Sequence, residues 1–177
     1  MQTDQVRAIE EHIPALRRYA RALVRDADKA DDLVQDCLER SVSRIDQFAP
    51  GTNLRTWLFT IMHNLHCDTL RRVQRRGPHV PINEWESNAQ YPATQSTAVE
   101  IREFERAFAR LTKRDQHLLL LVGVEGFSYE EVSEVLGIAV GTVKSRLFRA
   151  RERLRGLLGE PHGILLAIGE AAISRQN

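Results

Sequence analysis

Apolar residues in this chain recur three and four positions apart almost everywhere, and the one stretch where that rhythm fails divides the sequence in two. Between Gly77 and Thr97, Pro78, Pro81 and Pro92 stand among Asn, Gln, Ser and Thr, the composition of an extended linker. Before it, Ile9, Ile13, Leu16, Ala20 and Leu23 mark one helical face. Ala30, Leu33, Val34, Cys37, Leu38 and Ile45 mark a second, and Leu54, Trp57, Leu58, Ile61 and Leu65 a third. Beyond the linker, Val99, Ile101, Phe104, Phe108 and Leu111 resume the pattern. No strand-length segment alternates convincingly, so the expected fold is all-α, with two small helical domains joined by the linker. The expected bounds are 1–77, 78–97 for the linker, 98–158, and a tail at 159–177. In the tail, Ile164, Leu165, Ile168, Ala171 and Ala172 keep helical spacing, which fits a short helix or an extension packed on the second domain.

Local signals set the element ends. Pro14 clashes with a helical ladder, so either the main first helix begins near Ile13 or it kinks there. Asp26-Ala27-Asp28 offers a turn and an N-cap for the second helix. Pro50 and Gly51 make residues 48–53 a loop, and a third helix runs from about Asn53 or Leu54 to the basic end Arg71, Arg72, Arg75 and Arg76. Thr112 with Asp115 resembles a cap for a helix spanning 113–125, ended by Gly126.

With 177 residues, 42% hydrophobic and 28% charged, the chain can bury one modest core or two small ones. No apolar run approaches the roughly 20 residues that span a bilayer, and MQTDQVRAIEEH lacks the basic-then-apolar order of a secretion signal. The expectation is a cytoplasmic protein with no membrane insertion. Cys37 and Cys67 lie far apart and are read as reduced thiols. The formal net charge of +1 conceals segregation: acid collects between Asp26 and Glu39, base from Arg71 to Arg76 and from Lys144 to Arg155. A metal or redox site would need His63, His66 and Cys67 completed by Cys37. Helical His and Cys are more often packing or surface residues. No metal, cofactor or catalytic residue is expected.

The densest motif is SYEEVSEVLG followed by IAVGTVKSRLFRARERL, from Ser128 to Leu154. Ser128 and Glu131 stand in capping-box order, and Gly137 can take the left-handed conformation that ends a helix. Val143, Leu147, Ala150 and Leu154 step by four, three and four along an inward face. On the other side Lys144, Ser145, Phe148 and Arg149 offer a long donor, a hydroxyl, an aromatic ring and a bidentate donor, a set suited to base edges in a major groove. Arg146, Arg151, Arg153 and Arg155 flank them for phosphates, and the amides near Gly141 and Thr142 suit a further phosphate. Each arginine alone is a solvated helix face. Cap, turn, apolar stripe and basic face together describe a DNA-binding helix-turn-helix.

GFSYEEVSEVLGIAVGTVKSRLFRARERL resembles region 4 of extracytoplasmic function sigma factors, and ADDLVQDCLER with FAPGTNLRTWLFTIMHNLHCDTLRR resembles their region 2. The resemblance covers nearly everything but linker and tail. It implies no catalysis by the chain itself, since core RNA polymerase does the chemistry and the sigma factor brings it to promoter DNA. It implies contacts to the polymerase β′ clamp helices and β flap, an anti-sigma factor as a further partner, and a role in stress responses. The clamp-docking positions carry over to Asp32, Gln35, Asp36 and Glu39, whose spacing puts them on one helical face opposite the apolar stripe. Recognition of the −10 element carries over to Phe48, Gly51, Thr52 and Asn53 in the loop, Asn64 on the helix, and Arg71 and Arg72 on the backbone. Trp57 is read as core rather than as a stacking partner for a base. The −35 element falls to Thr142, Lys144, Ser145, Arg146, Phe148, Arg149 and Arg151. By the same resemblance the linker, with Trp85 and Tyr91, runs through the polymerase near the RNA path. FAPGTNLRTWLFTI resembles sigma factors of proteobacterial stress regulation, and the subgroup stays open.

Two other readings share these residues. A non-sigma regulator would use the same helix-turn-helix while its amino-terminal helices dimerise or sense a ligand, and the acidic face at 32–39 argues against it. A sigma-like decoy that sequesters an anti-sigma factor carries a receiver domain in this family, for which 177 residues leave no room.

Overall fold

A computed structural model describes residues 2–49, 51–75 and 95–159. Every regular element among them is helical: α1 (Gln2–Glu10), α2 (Ile13–Val24), α3 (Ala27–Ser43), a 3₁₀ turn (Ile45–Gln47), α4 (Leu54–Arg75), α5 (Gln95–Ala109), α6 (Lys113–Leu119) continuing as a π turn (Leu120–Val124), α7 (Tyr129–Leu136) and α8 (Val140–Leu158). The chain divides into two compact units, one built on α1–α4 and the other on α5, α6 and α8. The expected tail helix at 164–172 and the linker residues 78–94, with Trp85 and Tyr91, lie outside the described residues. Residues 95–97 of the expected linker already belong to α5.

Pro14 resolves to a break. α2 starts at Ile13 with the proline in its first turn, where its missing N–H is not needed. Arg25 ends α2 at φ 61°, donating its N–H to the Arg21 carbonyl. The expected cap at Asp26 forms: its carboxylate accepts the Lys29 amide at 3.1 Å, and hydrogen bonds from Lys29 hold its pKa below the usual carboxylate range.

α3 packs against both α2 and α4. Tyr19 of α2 meets Phe59 of α4 with ring centroids 5.1 Å apart, so α4 faces two neighbours. For that reason Phe59, Met62, Thr56 and His66 are buried with Leu58 and Ile61, a broader band than a single stripe of spacing suggests. Leu54, Trp57 and Leu65, expected in that stripe, are only half-buried.

In the second unit α6 packs on α8, and α5 also reaches α8. Leu118, Leu119, Leu120, Leu121 and Val122 are all buried, which one face of a regular helix cannot arrange. The helix expected over 113–125 instead widens at Leu120, where the Glu125 amide bonds the Leu120 carbonyl at 2.9 Å and the Phe127 amide the Leu121 carbonyl at 3.0 Å. Gly126, at φ 68°, then turns the chain. No helix among the described residues is long and apolar enough to cross a membrane.

Candidate nucleic-acid interface

The helix-turn-helix is built as its residues dictate. Ser128 Oγ accepts the Glu131 amide at 3.1 Å while Glu131 Oε2 accepts the Ser128 amide at 2.8 Å, a complete capping box at the start of α7. Gly137, at φ 63°, ends α7, and Ala139 opens α8 after a turn of 137–139. Val143, Leu147, Ala150 and Leu154 are essentially inaccessible, which fixes the roll of α8 about its axis.

That roll exposes Lys144, Ser145, Phe148 and Arg149. Phe148 leaves 67% of its surface in solvent, an uncompensated apolar exposure that a thymine methyl or another apolar partner would cover. Lys144 lies over the Tyr129 ring, 5.9 Å from its centroid. Arg149 Nε bonds the Ser145 carbonyl at 3.2 Å, bracing the stem of a guanidinium that stays exposed. Ser145 Oγ donates to the Thr142 carbonyl at 3.2 Å. The Thr142 amide bonds the Ala139 carbonyl at 2.8 Å, so the phosphate expected at that amide would meet an N–H already engaged.

The flanking arginines differ from one another. Arg153 Nη1 bonds the carboxylate of buried Asp115 at 2.6 Å, and Arg155 pairs with Glu152. Arg151 is half-buried, with Nε and one Nη shielded from solvent and without a hydrogen-bond partner among the described residues, which leaves its other Nη for a phosphate. Arg146 and Arg149 line a cleft with Arg153 and with Thr112, Lys113, Arg114 and Asp115 from the start of α6. Sequence spacing marked Thr112 and Asp115 only as a cap, and Thr112 does accept the Asp115 amide at 3.2 Å. Pairing across 38 positions to Arg153 leaves no local signal.

In the first unit, the loop before α4 is stiffened from within. Phe48 and Trp57 meet at 5.4 Å between centroids with rings inclined 51°, so Trp57 packs on the loop rather than in the core. Gly51 sits at φ 88°, where other residues are strained, with nothing within 4 Å of where a side chain would begin. Thr52 Oγ1 donates to the Ala49 carbonyl at 2.7 Å, and Asn53 Oδ1 accepts the Thr56 amide at 3.2 Å as the cap of α4. Asn53 thus serves the helix with the oxygen expected to meet a base. Trp57, Asn64 and Arg71 follow at steps of seven, which aligns them along one side of α4. Asn64, Arg71 and Arg72 are exposed, with Arg71 bonded to Asp68 at 3.0 Å.

Asp32, Gln35, Asp36 and Glu39 are all exposed along α3, with Gln35 Nε2 donating to Glu39 Oε1 at 3.0 Å. Opposite them Leu33, Val34 and Cys37 are buried. The metal alternative does not assemble: among the described residues no three His, Cys, Asp or Glu side chains group as ligands. Cys67 Sγ lies 3.5 Å from His63 Nε2, while Cys37 donates to the Leu58 carbonyl, and burial pushes the Cys37 thiol up to about 12, away from the thiolate a metal requires.

Comparison with known proteins agrees with both halves. Residues 9–63 match the Sigma2 domain of PhyR, and residues 101–154 match Sigma-70, region 4. The chain is 42% identical over 146 residues to the ECF RNA polymerase sigma factor EcfG of Rhodopseudomonas palustris, covering 82% of this chain and 80% of that protein. It is 34% identical to the ECF sigma factor SigM of Mycobacterium tuberculosis over 84% of this chain and 74% of that one. Among solved structures it is similar to the sigma factor RpoE of Bartonella quintana, determined with the anti-sigma factor NepR, at a TM-score of 0.76 and 36% identity over 88% of this chain and 96% of that chain. With an exposed basic recognition helix, an acidic helix face, and relatives matched across both units, the chain belongs to the ECF family of RNA polymerase sigma factors, which are transcription initiation factors.

Proposed function

We propose that the two units divide promoter recognition between them. Lys144, Ser145, Phe148 and Arg149 of α8 read the −35 element, with Thr142, Arg146 and Arg151 toward the backbone. The loop residues Phe48, Gly51, Thr52 and Asn53, with Asn64, hold the −10 element, and Arg71 and Arg72 meet its phosphates. Asp32, Gln35, Asp36 and Glu39 dock on the β′ clamp helices, and the second unit meets the β flap. The first domain spans 1–77, and the second, expected from 98, begins with α5 at 95 and runs to 158. The chain works in the cytoplasm and performs no chemistry of its own. As the Bartonella relative was solved with NepR, an anti-sigma factor of that kind is the proposed regulatory partner.

The observation that carries this reading is the exposed quartet on α8, turned outward by four buried residues on its opposite side. The second reading is a decoy that only sequesters an anti-sigma factor: residues 9–63 match the Sigma2 domain of PhyR, and PhyR of Bartonella quintana was solved as an anti-anti-sigma factor in complex with the anti-sigma factor NepR. Run-off transcription with core polymerase and fragmented genomic DNA separates the two. Discrete new transcripts that depend on the chain support promoter recognition. A chain that binds an anti-sigma factor yet yields no transcript from any fragment supports the decoy.

A further inference from the structure

Only three of the chain's 25 lysine and arginine residues are lysines: Lys29, Lys113 and Lys144. The distinction is chemical. A guanidinium stays protonated in water and does not attack acyl carbons, whereas a lysine amine releases its proton and forms stable amides. The three amines also stand in different surroundings. Lys29 Nζ lies 2.9 Å from the Asp26 carboxylate, in the acidic stretch between Asp26 and Glu39 that repels an anionic reagent. Lys113 Nζ donates to Gln116 Oε1 at 3.3 Å, a hydrogen bond it must give up in order to react. Lys144 is exposed, its ammonium lies over the Tyr129 ring at 5.9 Å from the centroid, and it pairs with no carboxylate among the described residues. Within α8 no acid precedes Glu152, while Arg146, Arg149 and Arg151 follow close by, so the field around Lys144 draws anions.

We propose that Lys144 is an acylation site, modified by a small acyl group carried on an anionic activated donor, an acyl phosphate or an acyl thioester of a phosphorylated carrier, and that the modification switches off reading by α8. The unprotonated amine attacks the acyl carbonyl carbon. A C–N bond forms, the bond from that carbon to the phosphate oxygen or thioester sulfur breaks, and the amine proton leaves with phosphate, with the thiol or to water. No oxidant or further reactant is needed. The product is a neutral amide: it loses the charge that meets DNA, loses the attraction to Tyr129, and adds an acyl group to the face beside Ser145 and Phe148. The loss of reading rests on α8 being the −35 helix; selective acylation of Lys144 does not.

The test treats the full chain with acetyl phosphate or with acetyl-CoA and measures acetylation at each lysine by peptide mass spectrometry. Lys144 is expected to react about fivefold or more faster than Lys29 or Lys113 with at least one donor, and the faster donor identifies the carrier. Equal rates at the three lysines, or a faster reaction at Lys29 or Lys113, overturn the site and leave the promoter reading standing. Treated chain is then assembled with core polymerase on a promoter recovered by run-off transcription. With Lys29→Arg and Lys113→Arg in place, so that Lys144 is the one lysine left, treatment is expected to weaken promoter binding by about tenfold while affinity for core polymerase is kept. In Lys144→Arg, compared with its own untreated control, treatment is expected to change promoter binding by less than about twofold. A loss in Lys144→Arg as large as in the chain that keeps only Lys144 assigns the effect to another amine and overturns the switch. Full promoter binding by a chain whose Lys144 is mostly acetylated overturns it as well. Untreated holoenzyme that binds no promoter defeats the −35 reading, and the switch with it, while the relative rates at the three lysines still decide the site.

Discussion

Gln116 is 1% exposed, and its amide Nε2 donates to the Phe108 carbonyl at 2.8 Å and the Leu111 carbonyl at 3.0 Å, with Ala109 O at 3.4 Å. It therefore closes the open end of α5 from the helix that carries the cleft residues. Gln116→Leu keeps the volume and removes the donor. The Phe108 carbonyl still receives the Leu111 amide at 3.2 Å, so its loss is an ordinary hydrogen bond of about 0.5–1.5 kcal/mol. Among the described residues no backbone amide of this turn donates to the Leu111 carbonyl, and orphaning a buried acceptor costs about 1–3 kcal/mol. Leucine recovers about 1 kcal/mol by apolar transfer, which leaves a net loss of about 2 kcal/mol. Gln116 Oε1 accepts from Lys113 Nζ at 3.3 Å, so a Gln116→Glu carboxylate keeps one cationic partner, but its other oxygen faces carbonyl oxygens in the interior and the buried charge makes this variant worse than leucine at neutral pH. Hydrogen exchange read by mass spectrometry on the α5 and α6 peptides measures both. A loss of about 2 kcal/mol corresponds to roughly 25- to 30-fold lower protection for the Leu variant, with a larger loss for Glu. Wild-type protection in the Leu variant, or a Glu variant no worse than Leu, would refute the reasoning.

Three further outcomes follow from the same geometry. Asp32→Lys with Asp36→Lys leaves thermal stability nearly unchanged, since both residues are exposed, but lowers affinity for core polymerase by at least about tenfold in a fluorescence titration; equal affinity removes α3 from the docking surface. Arg149→Ala costs about 1–3 kcal/mol on a matching promoter and relaxes preference at one −35 position, as read by binding to a set of single-base variants; equal loss on every variant would make Arg149 a phosphate contact only. Burial, then the charge of Arg71, lowers the His63 pKa below 6.5, so the folded state takes up fewer protons than the unfolded one. The stability this confers is present above the unfolded value and is lost as pH falls toward the folded one. Thermal midpoints should therefore drop below about pH 6.5, less steeply in His63→Gln, and parallel profiles would count against it.

What was legible in the sequence was whatever rests on neighbours a few positions apart. The Ser128 and Glu131 box, the Asp26 cap, the turn at Gly137 and the buried stripe from Val143 to Leu154 are all short-range patterns, and the structure reproduces them. Periodicity failed where one helix meets two partners, as α4 does: Phe59 and Met62 fall outside the stripe and are wholly buried. The continuous apolar run Leu118 to Val122 signals deep burial and is buried throughout, but the change of helical register at Leu120 that accommodates it has no counterpart in spacing. Long-range pairings were invisible, above all Asp115 with Arg153 and Gln116 with the end of α5. Those pairings change what the site residues do. Arg153, one of several equivalent phosphate donors by spacing, is already engaged, while Lys113 and Arg114 line the same cleft from a different helix. Likewise Asn53, assigned to the −10 element by resemblance, uses its side-chain oxygen to cap α4.

The division of promoter recognition between the two units is tested most directly by site-specific photocrosslinking in the open complex. A benzophenone amino acid replaces Phe148 on α8 in one variant and Phe48 in the loop before α4 in another, each assembled with core polymerase on end-labelled promoter DNA. The account predicts crosslinks from position 148 within the −35 element and from position 48 on the non-template strand of the −10 element. Crosslinks from both positions to the same element, or none from position 148 to DNA while transcription proceeds, would contradict it.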